Sequence, residues 1–188
     1  MDGILTIGRI LFWLFVVLWW VLDIYVLFVK KNFYSKVLDR KSRLVVIFLI
    51  LTGVILAIAP EDFRATWRSR EFGLFQLIGT FVIMTGVLVR LSAIITLGKH
   101  FTPDIGVSNE RKIVKKGLYK WIRHPSYTGE IIAFIGVGIV FQHIPSSIFI
   151  VLFPTIAFIY RAMVEEKALI KEFGDEYIQY MKETRMFI

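Results

Sequence analysis

Cysteine is absent from the 188 residues. That excludes disulfides, thiolate catalysis, iron–sulfur clusters and lipid attachment to the protein's own cysteine. Histidine is scarce: His100, His124 and His143 lie in separate segments with no HExxH spacing, so no metal site is expected. No strand–glycine-rich turn–helix unit occurs, so a cofactor must be held by loops and helix ends and not by a soluble nucleotide-binding fold. Internal repeats, low-complexity tracts and Gly/Ser linkers are also missing, and one domain over residues 1–188 is expected.

What is present is apolar. Hydrophobic residues make up 56% of the chain and the mean hydropathy is +0.66, more than a water-soluble surface of this size tolerates. The excess must face lipid. The net charge of +8 sits between the apolar runs, where it serves anionic head groups and topology; no nucleic acid partner is expected.

An all-α polytopic membrane protein follows, with about five spans: 4–29, 43–59, 72–97, 127–142 and 144–163. The first run, Ile4 to Val29, has 26 residues and no small-residue cleavage site after it, so it reads as a span and not as a cleaved signal. The last two, separated by His143, read as a tight hairpin. Tyr127 to Gln142 covers only about 24 Å at 1.5 Å per residue and is expected to end within protein. Lysines and arginines number six in Lys30–Arg43, seven in Lys99–Arg123 and five from Arg161 onward, against three in Pro60–Glu71, which also carries Glu61, Asp62 and Glu71. Cytoplasmic loops carry the excess, so the N-terminus is expected outside and the C-terminus and long loop in the cytoplasm.

The loop from Lys99 to Ser126 is long enough to suggest function, with turn signals at Thr102–Pro103–Asp104 and Lys116–Gly117. It runs into Arg123-His124-Pro125-Ser126-Tyr127. Pro125 suits the first turn of a helix and biases His124 towards an extended backbone, so the histidine and a helix N-terminus that favours anions are presented together. These residue types equally suit interfacial anchors. At the inner end of the fifth span, Arg161 and Glu165 are four apart on one helix face, with Glu166 beside them, and can hold each other in place; a snorkelling pair is the alternative. Beyond, Glu165 to Phe173 continues the helix, Gly174 can cap it, and Asp175 can start a short helix with Tyr177, Tyr180 and Met181 on one face.

The order of these parts resembles the isoprenylcysteine carboxyl methyltransferase family and its phospholipid methyltransferase relatives. The resemblance runs from about Leu97 to the end: Lys112-Ile113-Val114, Gly117-Leu118-Tyr119, Arg123 to Tyr127 with Gly129, Arg161 with Glu165-Glu166, and Phe173-Gly174-Asp175-Glu176-Tyr177. It implies that Lys112, Ile113, Val114, Tyr119, His124, Pro125, Ser126, Tyr127 and Glu165 bind S-adenosyl-L-methionine, leaving S-adenosyl-L-homocysteine as product. It also implies that Arg161 faces the substrate, with Arg161 and Glu165 the catalytic pair. The ending departs from the family, with Thr184 to Ile188 where a proline-containing stretch is common.

The implied reaction is methyl transfer to a lipid-like acceptor, foremost the carboxylate of a prenylated cysteine or a similar isoprenoid-bearing small molecule. Such a transfer demands alignment and exclusion of water. A carboxylate acceptor is already ionised and needs a cation such as Arg161 to aim it; an amine acceptor would instead need a base such as Glu165 or Glu166. Two other readings stand beside it: an NADPH-dependent membrane reductase, because sterol reductases have a broadly similar C-terminal region, and a small transporter or scaffold, suggested by intramembrane Arg90 and Asp23. Arg90 is expected to snorkel, or else to line the site, and Asp23 to pair with Arg90 or Lys30. His100 is read as a cofactor contact or a solvated loop residue, and His143 as structural. Trp13, Trp19, Trp20 and Trp121 are expected to face lipid or the interface.

Overall fold

Runs this apolar, with few breakers inside them, satisfy their backbone groups internally only as helices. The computed structural model describes residues 2–28, 36–39, 41–69, 73–101, 105–107 and 112–188. In chain order these form α1 (Asp2–Phe28), β1 (Lys36–Asp39), α2 (Lys41–Ile58), α3 (Glu61–Ser69), α4 (Leu74–Leu97), β2 (Ile105–Val107), α5 (Pro125–Phe141), α6 (Ile144–Phe173) and α7 (Asp175–Glu183), with single 3₁₀ turns at Gly98–His100 and Gly117–Lys120. The protein is an all-α polytopic membrane protein: α1, α2, α4 and α6 each carry enough apolar length to cross a bilayer, and α5 is a shorter apolar helix. The turn expected at Thr102–Asp104 and the pairing candidate Lys30 lie outside the described residues.

The tightest packing joins α4 to α5 through glycines. Gly79 and Gly86 on α4 and Gly129 and Gly136 on α5 are each seven apart, so each pair stays on one helix face. A Cβ on Gly86 would lie 2.5 Å from the Gly129 carbonyl oxygen, and one on Gly136 would lie 2.7 Å from that of Gly79. The backbones touch there, as small residues allow in membrane helix pairs. Against this pair α1 brings Trp19, edge-on to Phe134 at 4.9 Å. On the far side α6 packs against α2, where Gly53 meets Phe153 and Phe149.

The α5–α6 hairpin turns in two residues. Gln142 takes a left-handed backbone (φ 47°) and His143 caps α6, its ring accepting from the Ser146 amide. Ser146 Oγ donates to the Ala57 carbonyl at 2.5 Å, and His143 Nε2 lies 3.0 Å from Asp62 Oδ2. His143 is therefore structural, fastening the tip to α2 and α3. Helix α3 itself was not foreseen: its apolar side, Phe63 and Trp67, lies on Phe141. Nor was the antiparallel ribbon of β1 and β2, which pairs Lys36 with Val107 and Asp39 with Ile105.

Helix α6 runs on through buried Pro154 to Phe173, ten residues past the expected end of the fifth span, before Gly174 (φ 55°) ends it. That extension carries Glu165 and Glu166 beyond the apolar part of the hairpin. Helix α7 then turns back with Tyr177 and Tyr180 buried.

Candidate functional site

Residues 121–124, just before α5, are clamped by the C-terminal tail. The Arg123 amide donates to the Arg185 carbonyl (2.8 Å), the Arg185 amide to the Trp121 carbonyl (3.0 Å) and the His124 amide to the Met186 carbonyl (3.2 Å). Beneath this pairing the Arg123 guanidinium donates to Glu166 at 2.6 Å, to the Met181 carbonyl at 3.1 Å and to the Thr184 carbonyl. Arg123 is thus a strut between α6, α7 and the tail and not an interfacial anchor. The last residues also have a place: the Phe187 ring lies 6.0 Å from that of His124.

The expected site residues on α5 and α6 come together around one hydroxyl. Tyr127 Oη donates to Glu165 Oε2 at 2.8 Å and accepts from Arg161 Nε at 3.4 Å. The tyrosine therefore stands between the cation and the acid, which were expected to hold each other directly. Its ring stacks on His124, 5.4 Å between centroids and 6° between planes, and on Phe158 at 5.6 Å and 26°. His124 is buried, with Nε2 3.3 Å from Glu166 and Nδ1 3.7 Å from Glu165. Pro125 opens α5 as expected.

Arg161 is held from the opposite side by α2. Its Nη1 donates to Ser42 Oγ and lies 3.9 Å from Asp39 Oδ2. Asp39 caps α2, accepting from the Lys41 amide at 3.0 Å and the Ser42 amide at 3.1 Å. Burial acts to raise the Asp39 carboxyl, but the Ser42 hydroxyl, these amides and Arg161 outweigh it and hold the group below the usual carboxylate range.

A second buried cluster lies one turn deeper. Arg90 donates to Ser126 Oγ at 3.1 Å and forms ion pairs at 2.6 Å with both Asp23 and Glu130. Trp19 Nε1 donates to Glu130 Oε2 at 3.1 Å. Arg90 is 8% exposed, so it does not snorkel; its charge is met inside the bundle and it supports Ser126 at the start of α5. Of the tryptophans, Trp13, Trp20 and Trp121 are exposed, whereas Trp19 is buried against this cluster.

Gly117 makes the turn before Tyr119 with φ 56°, a backbone that favours glycine. The Tyr119 carbonyl accepts the Tyr180 hydroxyl at 2.6 Å, tying the loop to α7. Burial pushes the Tyr119 and Tyr177 phenols upward, reinforced by the Glu165 charge, and pushes Tyr180 up to about 12. All three stay protonated donors near neutral pH. On the segment leading into this turn Lys112 is exposed and Ile113 and Val114 are half-buried; His100, half-buried, ends the 3₁₀ turn after α4.

Reading the sequence missed Glu130, Ser42, Asp39, the inward place of Trp19 and the pairing of the last residues with 121–124, although it left open that the C-terminal part folds back over the loop. Glu130 left a legible trace, an acid four residues after Ser126 inside an apolar run. The others meet their partners only through packing.

The isoprenylcysteine carboxyl methyltransferase (ICMT) family matches residues 77–171, 95 of the 188 residues. The chain belongs to this family. The match runs from the first turn of α4 through the loop and α5 to the last turn of α6, and so contains Arg90, Tyr119, the His124–Tyr127 stretch, Glu130, Arg161 and Glu165. Among relatives, protein-S-isoprenylcysteine O-methyltransferase B of Arabidopsis thaliana is 29% identical over 153 residues, which cover 80% of this chain and 75% of the relative. The Saccharomyces cerevisiae protein-S-isoprenylcysteine O-methyltransferase is 32% identical over 136 residues, 71% of this chain and 56% of the relative. Its Homo sapiens counterpart is 32% identical over 127 residues, 65% and 42% respectively. The ICMT chain described here is a methyltransferase.

Proposed function

We propose that this ICMT-family protein transfers a methyl group from S-adenosyl-L-methionine to the carboxylate of a prenylated cysteine or a similar isoprenoid-bearing small molecule. The observation that carries the reading is the partly buried line Glu165–Tyr127–Arg161, in which one hydroxyl joins an acid facing the His124 ring to a cation facing α2.

The residues fit such a methyl donor. Two carboxylates, Glu165 and Glu166, stand beside stacked aromatic rings and suit a cationic, planar ligand, while the first amides of α5 lack intrahelical acceptors and suit its carboxylate. On this reading Lys112, Ile113, Val114, Tyr119, His124, Pro125, Ser126, Tyr127 and Glu165 hold the donor. When bound, S-adenosyl-L-methionine supplies an electrophilic methyl on sulfur. Arg161 aims the acceptor carboxylate through its planar guanidinium, and no general base is needed because the acceptor is already ionised. Tyr127 holds Arg161 and Glu165 at a set separation. The tail and α7 exclude water from one side, and the apolar helices let a prenyl tail approach through lipid.

The protein acts as one domain within the bilayer, with five crossings, its N-terminus outside and the site and C-terminus cytoplasmic, as the surplus of lysine and arginine on that side supports. Membership of a methyltransferase family leaves the reductase and transporter readings without a supporting observation.

Calorimetric titration of detergent-solubilised protein tests the donor: S-adenosyl-L-homocysteine is expected to bind and NADPH not to, and His124→Ala to weaken that binding while the protein stays folded. Methyl incorporation into an N-acetylated S-farnesyl cysteine tests the acceptor, and its loss on shortening the prenyl tail is expected. Binding of NADPH in place of S-adenosyl-L-homocysteine would sink the reading.

A further inference from the structure

Arg161 serves two carboxylates if an acceptor carboxylate binds it, because Asp39 is already there. Asp39 Oδ2 lies 3.9 Å from Arg161 Nη1, and the Asp39 side chain is 21% exposed against 6% for Arg161. The arginine does not depend on Asp39 for its position: Ser42 Oγ accepts from Nη1 and Tyr127 Oη accepts from Nε. Nor does the cap of α2 depend on the Asp39 charge, since asparagine and serine cap helices about as well as aspartate. A neutral capping residue at position 39 can thus still carry out both structural tasks, while the carboxylate there stands against the cation expected to receive the acceptor. Asp39 and Ser42 also lie outside the family-matched stretch of residues 77–171.

We propose that Asp39 is a specificity-determining residue, a built-in counter-carboxylate that an acceptor carboxylate must displace from Arg161 and that an amine-headed ligand would instead find attractive. The proposal rests on the methyltransferase reading above, with Arg161 facing the acceptor. Its consequence is a raised threshold for anionic head groups: only an acceptor whose prenyl tail contributes enough binding by itself reaches the site, and short-tailed carboxylates are turned away. Coulomb repulsion between two carboxylates near one guanidinium supplies the discrimination, and screening by the partly open side of Asp39 keeps it modest.

The test compares Asp39→Asn with the unaltered protein in detergent, using an N-acetylated S-farnesyl cysteine as acceptor and its primary-amine analogue as competitor. Asp39→Asn is expected to lower KM for the carboxylate by about threefold or more, to leave kcat and S-adenosyl-L-homocysteine affinity unchanged, and to weaken inhibition by the amine. Asp39→Ser, which also keeps a capping oxygen, is expected to behave alike, so poor folding of one variant leaves the other. A KM that stays the same or rises in both variants, with S-adenosyl-L-homocysteine still bound, overturns Asp39 as a selector and assigns it to capping alone. If the unaltered protein methylates no carboxylate acceptor while binding S-adenosyl-L-homocysteine, the acceptor reading itself fails and the proposal with it.

Discussion

At the scale of single residues, burial converts ordinary polar groups into fixed ones. Tyr127 Oη spends its proton on Glu165 and its lone pair on Arg161, so the cation and the acid keep separate tasks. On the proposed mechanism Arg161→Ala should abolish turnover while S-adenosyl-L-homocysteine still binds, and Glu165→Ala should damage that binding; calorimetry alongside a methyl-transfer assay separates the two. Arg161→Lys should recover little activity, because an ammonium keeps the charge but loses the planar grip. Near-normal activity of Arg161→Lys would argue for an amine acceptor. Arg90 poses a different problem, one cation between two carboxylates at membrane depth. Arg90→Met should destabilise by about 3 to 5 kcal/mol by leaving buried acid uncompensated. Adding Glu130→Gln should recover part of that loss, a coupling of about 0.5 to 3 kcal/mol readable as melting temperatures of the four variants in detergent. Strict additivity would mean that the two do not share one network. Arg161 and Glu165 were legible from their spacing on one helix face; the hydroxyl between them was not, because Tyr127 sits 34 and 38 residues away and arrives only through the hairpin.

Among the elements, the antiparallel pairing of α4 with α5 sets the register of everything at the end that carries the candidate site. Gly86 and Gly129 let the two backbones touch, and only then does Arg90, one turn past Gly86, reach Ser126 in the first turn of α5. A Cβ on Gly129 would meet the Gly86 carbonyl oxygen at 2.6 Å and the Arg90 amide at 2.7 Å, both backbone atoms that cannot step aside. Gly129→Ala should therefore cost about 1 to 3 kcal/mol and displace Ser126 from Arg90. A melting temperature that falls together with S-adenosyl-L-homocysteine affinity is expected; an unchanged pair of values would show that α4 and α5 can separate harmlessly. The apolar character of both helices is plain from hydropathy. The seven-residue glycine spacing was visible too, but a glycine's meaning depends on what faces it, and that is set across the pair and not along either strand of sequence. Helix α7 and the tail show the same split: the buried Tyr177 and Tyr180 face was foreseeable from periodicity, whereas the pairing of Arg185 with Trp121 was not.

For the molecule as a whole, α2 and α5 both reach Arg161, through Ser42 and Tyr127, and α1 reaches the Arg90–Glu130 cluster through Asp23 and Trp19. The proposed orientation predicts that, in intact cells, a cysteine introduced by Ser69→Cys is labelled from outside and one introduced by Ser108→Cys is not; the natural absence of cysteine leaves a clean background. Outside labelling at residue 108 would reverse the arrangement. Composition and order alone were enough for the membrane class, the helical spans, the charge bias between their ends and the stretch carrying the family pattern, because hydrophobic length, loop charge and short motifs are local quantities. Only packing could say which charges meet. Arg90 finds Ser126 36 residues away, Trp19 finds Glu130 111 away and Arg161 finds Ser42 119 away, and such meetings depend on helix registers set by close backbone contact, where a buried charge must find its partner or not be buried at all.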